Sequence, residues 1–424
     1  MTRYVVVGGS AGAIGAVEGI RKLDPAGEIT VVTEEPMAPY SRPAIGEHLY
    51  GRVDLESLRF GSPDFWNEYS VQILLGRRAT SIDLADKTVK LDDSQVLGFD
   101  RLLLATGTRP FIPKMEGMDR EGFYTFTGLN DVQKIRDELP RTNRAVVIGG
   151  GLIGVEAAEA LVNLGVDVTV VELRGWLLNL LLDREAAKIV EAAMESRGVK
   201  LVTGQSVKEI LGREGNPGRV GGVVLSNGAR MECDLVVSAV GVIPRTELAV
   251  QAGLKVNRGI LVGRFMQTSA PSVYACGDVA EAYELIGGGS RVFAIWSLAR
   301  LGGRIAGENM AGGKVEYPGG IAMSALRYFG VPIVSVGLDA QETTKEFEVL
   351  TKRGSESYRK IVLRENRVVG FTLVRGIEAA GLIYNLIRTQ TDISGSKGEL
   401  LSPDFSFAHL PEKVRKRTLM EAWA

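Results

Sequence analysis

One local design occurs twice in this chain. "RYVVVGGSAGAIGAVEGIRKL" begins at Arg3, and "RAVVIGGGLIGVEAAEALVNLG" begins at Arg144. Each is a short β-branched run, a glycine-rich turn and an alanine-rich helical stretch. A strand that feeds a helix in this way needs a parallel neighbour strand to cover, so each copy predicts a βαβ nucleotide-binding unit. Repetition at about 140 residues predicts two such domains rather than one. The 424 residues leave room for a third. The expected fold is α/β, with two Rossmann-like dinucleotide-binding domains.

The second copy is the clearer. Gly149, Gly151 and Gly154 fit G-x-G-x-x-G between a strand at 144–148 and a helix opening near Leu152 and Ile153. The first glycine permits the tight turn, and the second lets the backbone approach a pyrophosphate. The third lets helix and strand pack closely, with the helix N-terminus facing the phosphates. The strand "VDVTVVEL" follows, and its Glu172 lies 23 residues beyond Gly149, near the spacing of a ribose-binding acid. Glu172 is expected to accept from a 2′-hydroxyl and repel a 2′-phosphate, favouring NADH over NADPH; Arg174 stands two residues on.

The first copy departs from the motif. Gly8 is followed by Ser10 and Ala13 where glycines would be ideal, with Ala11 and Gly12 between them. Ser10 keeps its backbone N–H, and Ala13 is small enough for close packing. "EITVVTEE" is expected to end at Glu34, the candidate ribose acid, with Glu35 as the alternative.

Composition narrows the rest. Net charge is −1, which gives no whole-chain reason to expect nucleic acid or an anionic membrane. Two cysteines, Cys233 and Cys276, make no disulfide framework and fit a reducing compartment, so a cytoplasmic protein is expected. With only two histidines, His48 and His409, no metal site is expected. No apolar run reaches membrane-helix length.

Further segments come in a fixed order: "FDRLLLATGTRP" (99–110), its echo "CDLVVSAVGVIPRTEL" (233–248), and "TSAPSVYACGDVAE" (268–281). Together with the two glycine loops, this set resembles the flavoprotein oxidoreductases with two dinucleotide-binding domains. That family includes NADH:rubredoxin reductases, ferredoxin reductases, NADH oxidases, coenzyme A disulfide reductases and the flavin part of nitrite reductases. The resemblance implies FAD on the first unit, held by Gly8, Ser10, Ala11, Gly12 and Glu34. Thr106 and Gly107 would mark the return to that domain, with Gly277 and Asp278 on the FAD hydroxyls. It implies NADH on Gly149, Gly151, Leu152, Ile153 and Glu172, with Gly241 flanking it. Glu156 would stand near the flavin–nicotinamide junction, and Glu159, three residues on, is expected on the solvated surface. Leu152 takes a place where several relatives have a gating tyrosine. "VFAIWSLARLGGRIAGENMAG" resembles the flavin-capping helix, with Trp296 just before its start at Ser297, where it would either contact the flavin or fill the core.

The stretch "PYSRPAIGEHL" (39–49) bears on how electrons leave. Disulfide-, persulfide- and peroxide-reducing relatives carry a redox cysteine here; this chain has Ser41, Arg42, Pro43 and Ala44. Thiolate chemistry needs sulfur. The pattern resembles the cysteine-free ferredoxin and rubredoxin reductase branch, in which Arg42 contacts FAD and Pro43 opens the next helix. That branch commonly has a lysine where this chain has Glu47. Cys276 and Cys233 are expected to be buried and structural.

The expected layout is an FAD domain at 1–112 and 245–318, an NAD(H) domain at 113–244, and an α+β interface domain at 319–424. A β-meander is expected over 70–100, a strand over 327–337 and a helix over 377–388. The last domain ends in a basic run at 413–417 that suits a solvated face or an acidic partner. The implied activity is NADH oxidation by FAD, with electrons passed directly to a ferredoxin- or rubredoxin-like iron protein. Alternatives are an NADH oxidase or quinone reductase without a protein partner, an NADH-sensing flavoprotein, and a diaphorase subunit of a larger dehydrogenase. The C-terminal domain of the resembling family often lies at dimer contacts, so a homodimer is one option; the oligomeric state stays open.

Overall fold

The computed structural model describes residues 1–60, 62, 64–339, 343–410, 412 and 414–416. The basic run at 413–417 therefore lies partly outside the described residues. Two compact units emerge: residues 1–110 with 242–321, and residues 111–241 with 322–424. The first unit is discontinuous in sequence. The second contains both the region expected to bind NAD(H) and the C-terminal domain.

Both glycine loops sit in the same local framework. In the first unit β1 (Arg3–Val7) leads through the loop into α1 (Ala11–Leu23) and on to β2 (Glu28–Thr33). In the second, β3 (Arg144–Ile148) leads into α2 (Leu152–Asn163) and β4 (Asp167–Glu172). Each first strand is central in a five-stranded parallel sheet. The Gly8 N–H reaches Val32 O at 2.8 Å, and the Gly149 N–H reaches Val171 O at the same distance.

The β1 side chains show why the strands read as unbroken apolar runs. Tyr4 and Val6 join the core on the helical face, while Val5 and Val7 join the core on the opposite face. A parallel sheet covered on both sides has no solvated face to alternate with. The covering layer on that second face is the antiparallel sheet 79–83, 88–91 and 96–98. The meander expected over 70–100 therefore begins at Ala79; residues 71–75 instead form the edge of the parallel sheet. The second unit repeats the device with strands 207–213, 216–225 and 230–232.

On the helical face α1 is crossed by α3 (Trp296–Met310), one residue earlier than expected. A Cβ on Gly303 would stand 2.0 Å from Gly12 O, and one on Gly15 would stand 2.1 Å from Arg300 O. Only glycines allow backbones this close, and Glu18–Arg300 and Lys22–Glu308 pairs rim the crossing.

The C-terminal part is a five-stranded antiparallel sheet, with β5 (Met323–Tyr328) at one edge, and a helix at 380–388. The strand expected over 327–337 is two strands, β5 and 331–337, joined at Phe329 and Gly330. Both turn residues have positive φ, +48° and +77°, as a two-residue hairpin requires. Phenylalanine is an unusual residue there, which is why the turn does not show in the sequence.

Candidate functional site

In the first unit the loop between β1 and α1 is closed from below. A Cβ on Gly8, whose φ is +119°, would stand 2.0 Å from Ala105 O, and one on Gly9 would stand 2.8 Å from the Thr33 Cβ. Ser10 is the N-cap of α1 and its side chain makes no capping bond. The first-turn N–H groups of a helix have no intrahelical partner, so Ser10, Ala11 and Gly12 present donors suited to a phosphate. Strand β2 ends at Thr33, one residue short of expectation. The matching register places Thr33, not Glu34, where the second unit has Glu172. Glu34 is exposed just beyond and forms an ion pair with Arg245.

Arg245 was not singled out in the sequence, yet it ties the two crossover segments together. Its N–H donates to Gly107 O at 2.9 Å, its Nε to Thr108 O at 3.2 Å, and its carbonyl accepts from the Thr106 hydroxyl at 2.9 Å. Gly107 itself has φ +66° and open space around it.

Arg42 and Pro43 open a short 3-10 turn at 42–44. The Arg42 guanidinium donates to Glu35 at 2.6 Å and lies 5.2 Å from the centre of the Tyr40 ring. Asp278 follows Gly277, whose φ is +71°. Burial pushes the Asp278 carboxyl up to about 6, against the opposing pull of Arg42. Trp296 meets Phe60 edge-on, ring centres 4.2 Å apart, and its buried indole N–H has no partner among the described residues. A loop of backbone donors, an unpaired indole donor and a half-buried carboxyl suit a large ligand with phosphates, hydroxyls and a polar ring; FAD is such a ligand. Glu47, in place of the resembling family's lysine, pairs with Arg52 at 3.4 Å.

Both thiols are buried. Burial, with a neighbouring Asp234 or Asp278, pushes Cys233 and Cys276 up to about 12. The Cys276 Sγ would lie 2.8 Å from a Cβ on Gly12, so it serves as a small packing group under the loop. Among the described residues no cluster of metal-ligating side chains occurs, and no helix is long and apolar enough to cross a membrane.

The second unit's loop is built differently. Glu172 is buried, and its carboxylate accepts from the Gly150 N–H at 2.6 Å and the Arg174 N–H at 2.7 Å. Gly149 (φ +104°) abuts Ala239 O, Gly154 abuts Gly149 O, and a Cβ on Gly151 would meet nothing within 4 Å. That open side is where a pyrophosphate would approach. Gly241 likewise has φ +121° and an open side. The Leu152 side chain is exposed, and its carbonyl accepts from the Tyr328 hydroxyl at 3.1 Å. Glu156 lies close enough to Tyr328 to raise that phenol further, after burial. Glu159 is not the solvated residue expected. It is half-buried and accepts from the Phe329 N–H at 2.7 Å.

Two dinucleotide loops on paired parallel sheets define a pyridine-nucleotide flavoprotein class. Residues 2–300 match the pyridine nucleotide-disulphide oxidoreductase family, and residues 323–391 match the rubredoxin NAD+ reductase C-terminal domain. The chain belongs to the pyridine nucleotide-disulphide oxidoreductase family. It is 32% identical to a nitrite reductase [NAD(P)H] of Bacillus subtilis over 95% of this chain and 49% of that protein. It spans about half the length of that relative. It is 30% identical to the NADH-dependent phenylglyoxylate dehydrogenase subunit epsilon of Aromatoleum evansii, over 100% of this chain and 98% of that one. The covalent putidaredoxin reductase–putidaredoxin complex contains a chain that superposes with TM-score 0.86 at 25% identity, covering 100% of this chain and 99% of that one.

Proposed function

We propose that this protein oxidises NADH and delivers the electrons directly to a ferredoxin- or rubredoxin-like iron protein. The observation that carries the reading is the state of the sulfur. The 39–49 loop has none, and both cysteines are buried with their thiols pushed to about 12. A thiolate relay of the kind used by disulfide-reducing relatives is therefore not available. FAD supplies the conversion of a two-electron hydride from NADH into electrons for the acceptor. The protein contributes binding, orientation and charge.

The residues divide between two tasks. Gly8, Ser10, Ala11 and Gly12 hold the FAD pyrophosphate, with Glu34 and Arg245 at the adenosine end. Thr106, Gly107, Gly277 and Asp278 line the path toward the ribityl chain. Arg42, Pro43 and Trp296 serve the flavin, where the N-terminus of α3 favours negative charge. Gly149, Gly151, Leu152, Ile153 and Gly241 hold NADH. Glu172, its carboxylate fixed by two N–H groups, bonds the ribose 2′-hydroxyl and repels a 2′-phosphate. Glu156 acts beside the reacting rings.

The match to a rubredoxin reductase C-terminal domain and to a reductase captured with its putidaredoxin supports an iron-protein acceptor. Anaerobic titration should reduce the enzyme with two electrons per chain, and mixing with a ferredoxin or rubredoxin should reoxidise it far faster than quinone or oxygen does. Uptake of four electrons, or equal reoxidation by oxygen, would sink the reading. The end-to-end match to a dehydrogenase subunit favours a second reading, a diaphorase subunit of a larger complex. Co-purification of a second polypeptide from the native source would select it. A cytoplasmic location and a homodimer belong to the same proposal; size-exclusion chromatography with light scattering checks the latter.

A further inference from the structure

The glycine loop at 149–154 is held from two sides by residues that its own motif does not contain. On one side, Tyr328 at the end of β5 sends its hydroxyl to Leu152 O, in the first turn of α2, at 3.1 Å. Two helical turns further on, the next residue of the same hairpin, Phe329, donates its N–H to Glu159 at 2.7 Å. Burial, then the charges of Glu156 and Glu159, raise the Tyr328 phenol, so it stays a donor throughout the working pH range.

On the other side, residues 174–183 fold back from the acid strand onto the loop. The Leu178 N–H donates to Gly150 O at 2.7 Å, with Leu178 itself at φ +53°. A Cβ on Gly150 would stand 2.3 Å from Leu177, so this segment is the floor of the loop. The far end of the segment is held by the C-terminal sheet. Ser335 donates to Leu181 O at 3.1 Å, and Tyr358 donates to Asp183 at 2.7 Å. Lys360, only 1% exposed, pairs with Asp183 at 2.7 Å and also with Asp339. A lysine this enclosed is tolerated only with its carboxylates in place, so the anchor is all-or-none.

We infer that the C-terminal sheet is a positioning scaffold for the NADH loop, with Tyr328 and Ser335 as its two adjustable contacts. The Tyr328 hydroxyl fixes the helix that receives the pyrophosphate. The Ser335 hydroxyl and the Lys360 cluster fix the segment that supports Gly150, whose N–H in turn holds Glu172. Small displacements of a positioned group are costly because binding and orientation act together. This inference rests on the reading of Gly149–Glu172 as the NADH site.

The test uses FAD-loaded full-length enzyme with Tyr328→Phe and Ser335→Ala, each of which removes one hydroxyl and little volume. Tyr328→Phe should raise the KM for NADH about fivefold, and Ser335→Ala about twofold, as expected for single hydrogen bonds. The kcat at saturating NADH, the FAD absorbance per chain and the melting temperature should stay near wild type. Amide exchange should become faster at 150–155 in Tyr328→Phe and at 174–183 in Ser335→Ala. Should Tyr328→Phe not fold, Ser335→Ala and its exchange pattern decide alone. An unchanged KM in the folded variants, or a KM change that follows loss of FAD, overturns the inference. Glu172→Ala separates the two levels. If it leaves the NADH KM untouched, the site reading fails; if it raises KM while the hydroxyl variants do not, only the scaffold fails.

Discussion

The two glycine loops share strand order and register, yet they solve the problem of their acid in opposite ways. In the second unit Glu172 ends β4, is buried, and is fixed by the Gly150 and Arg174 N–H groups. In the first, Thr33 fills that place against Gly9, and the acid is displaced to Glu34, an exposed residue paired with Arg245. The physical lesson concerns exchange. A fixed, buried carboxylate discriminates between ligands that come and go, because its unmet hydrogen bonds are costly. A neutralised surface pair discriminates little and suits a cofactor that stays bound.

The sharpest contrast lies in the glycines. Gly8→Ala puts a Cβ 2.0 Å from Ala105 O at a positive φ, whereas Gly151→Ala meets no protein atom. Gly8→Ala should yield protein with less than about one-tenth of the normal FAD or none soluble, since such backbone strain costs several kcal/mol. Gly151→Ala should keep its FAD and raise the NADH KM about tenfold. The ratio of flavin to protein absorbance, followed by steady-state kinetics, checks both. Equal behaviour of the two variants would break the comparison.

Glu172→Ala should shift the ratio of kcat/KM for NADH over NADPH by about 10- to 100-fold toward NADPH, the range for a hydrogen bond to a charged group. No shift would show that the buried acid does not read the ribose.

Asp278 gives the first unit a pH signature of its own. Its carboxyl, ordinarily near 3.8, is raised to about 6 by burial. The charged form is the disfavoured one, so the cost is absent below about pH 4, grows between 4 and 6, and is complete above 6. FAD-free Asp278→Asn should therefore match wild type at pH 4 and exceed it above pH 6, on the order of 1–2 kcal/mol. Its FAD affinity should fall. Thermal melts across pH would refute this by showing a constant offset.

Glu34→Ala is expected to have the smallest effect. An exposed ion pair contributes about 1 kcal/mol or less, so FAD dissociation should change less than about fivefold. A loss as large as that from Glu172→Ala on NADH would mean that the two acids are equivalent after all.

Much of this was legible along the chain because local rules carry it. The β-branched runs and the Gly149-x-Gly151-x-x-Gly154 spacing give two nucleotide-type units, and the 39–49 stretch is seen to hold no sulfur. Segment ends were less legible. Strand β2 stops at Thr33 because pairing with β1 and residues 71–75 sets its length, not the run of side chains. Glu159 reads as a surface residue from helix periodicity alone; its partner is a backbone N–H 170 residues away.

The sequence by itself determined the two strand–glycine turn–helix units, because tight turns, close approach and helix starts depend on residues a few positions apart. Only the tertiary structure decided which acid is fixed and which is neutralised. It also decided that Tyr328, Ser335 and Lys360 stand behind the Gly149–Gly154 loop. The second outcome depends on hydrogen bonds and buried charges between segments 150 or more residues apart, and no local pattern encodes such a pairing.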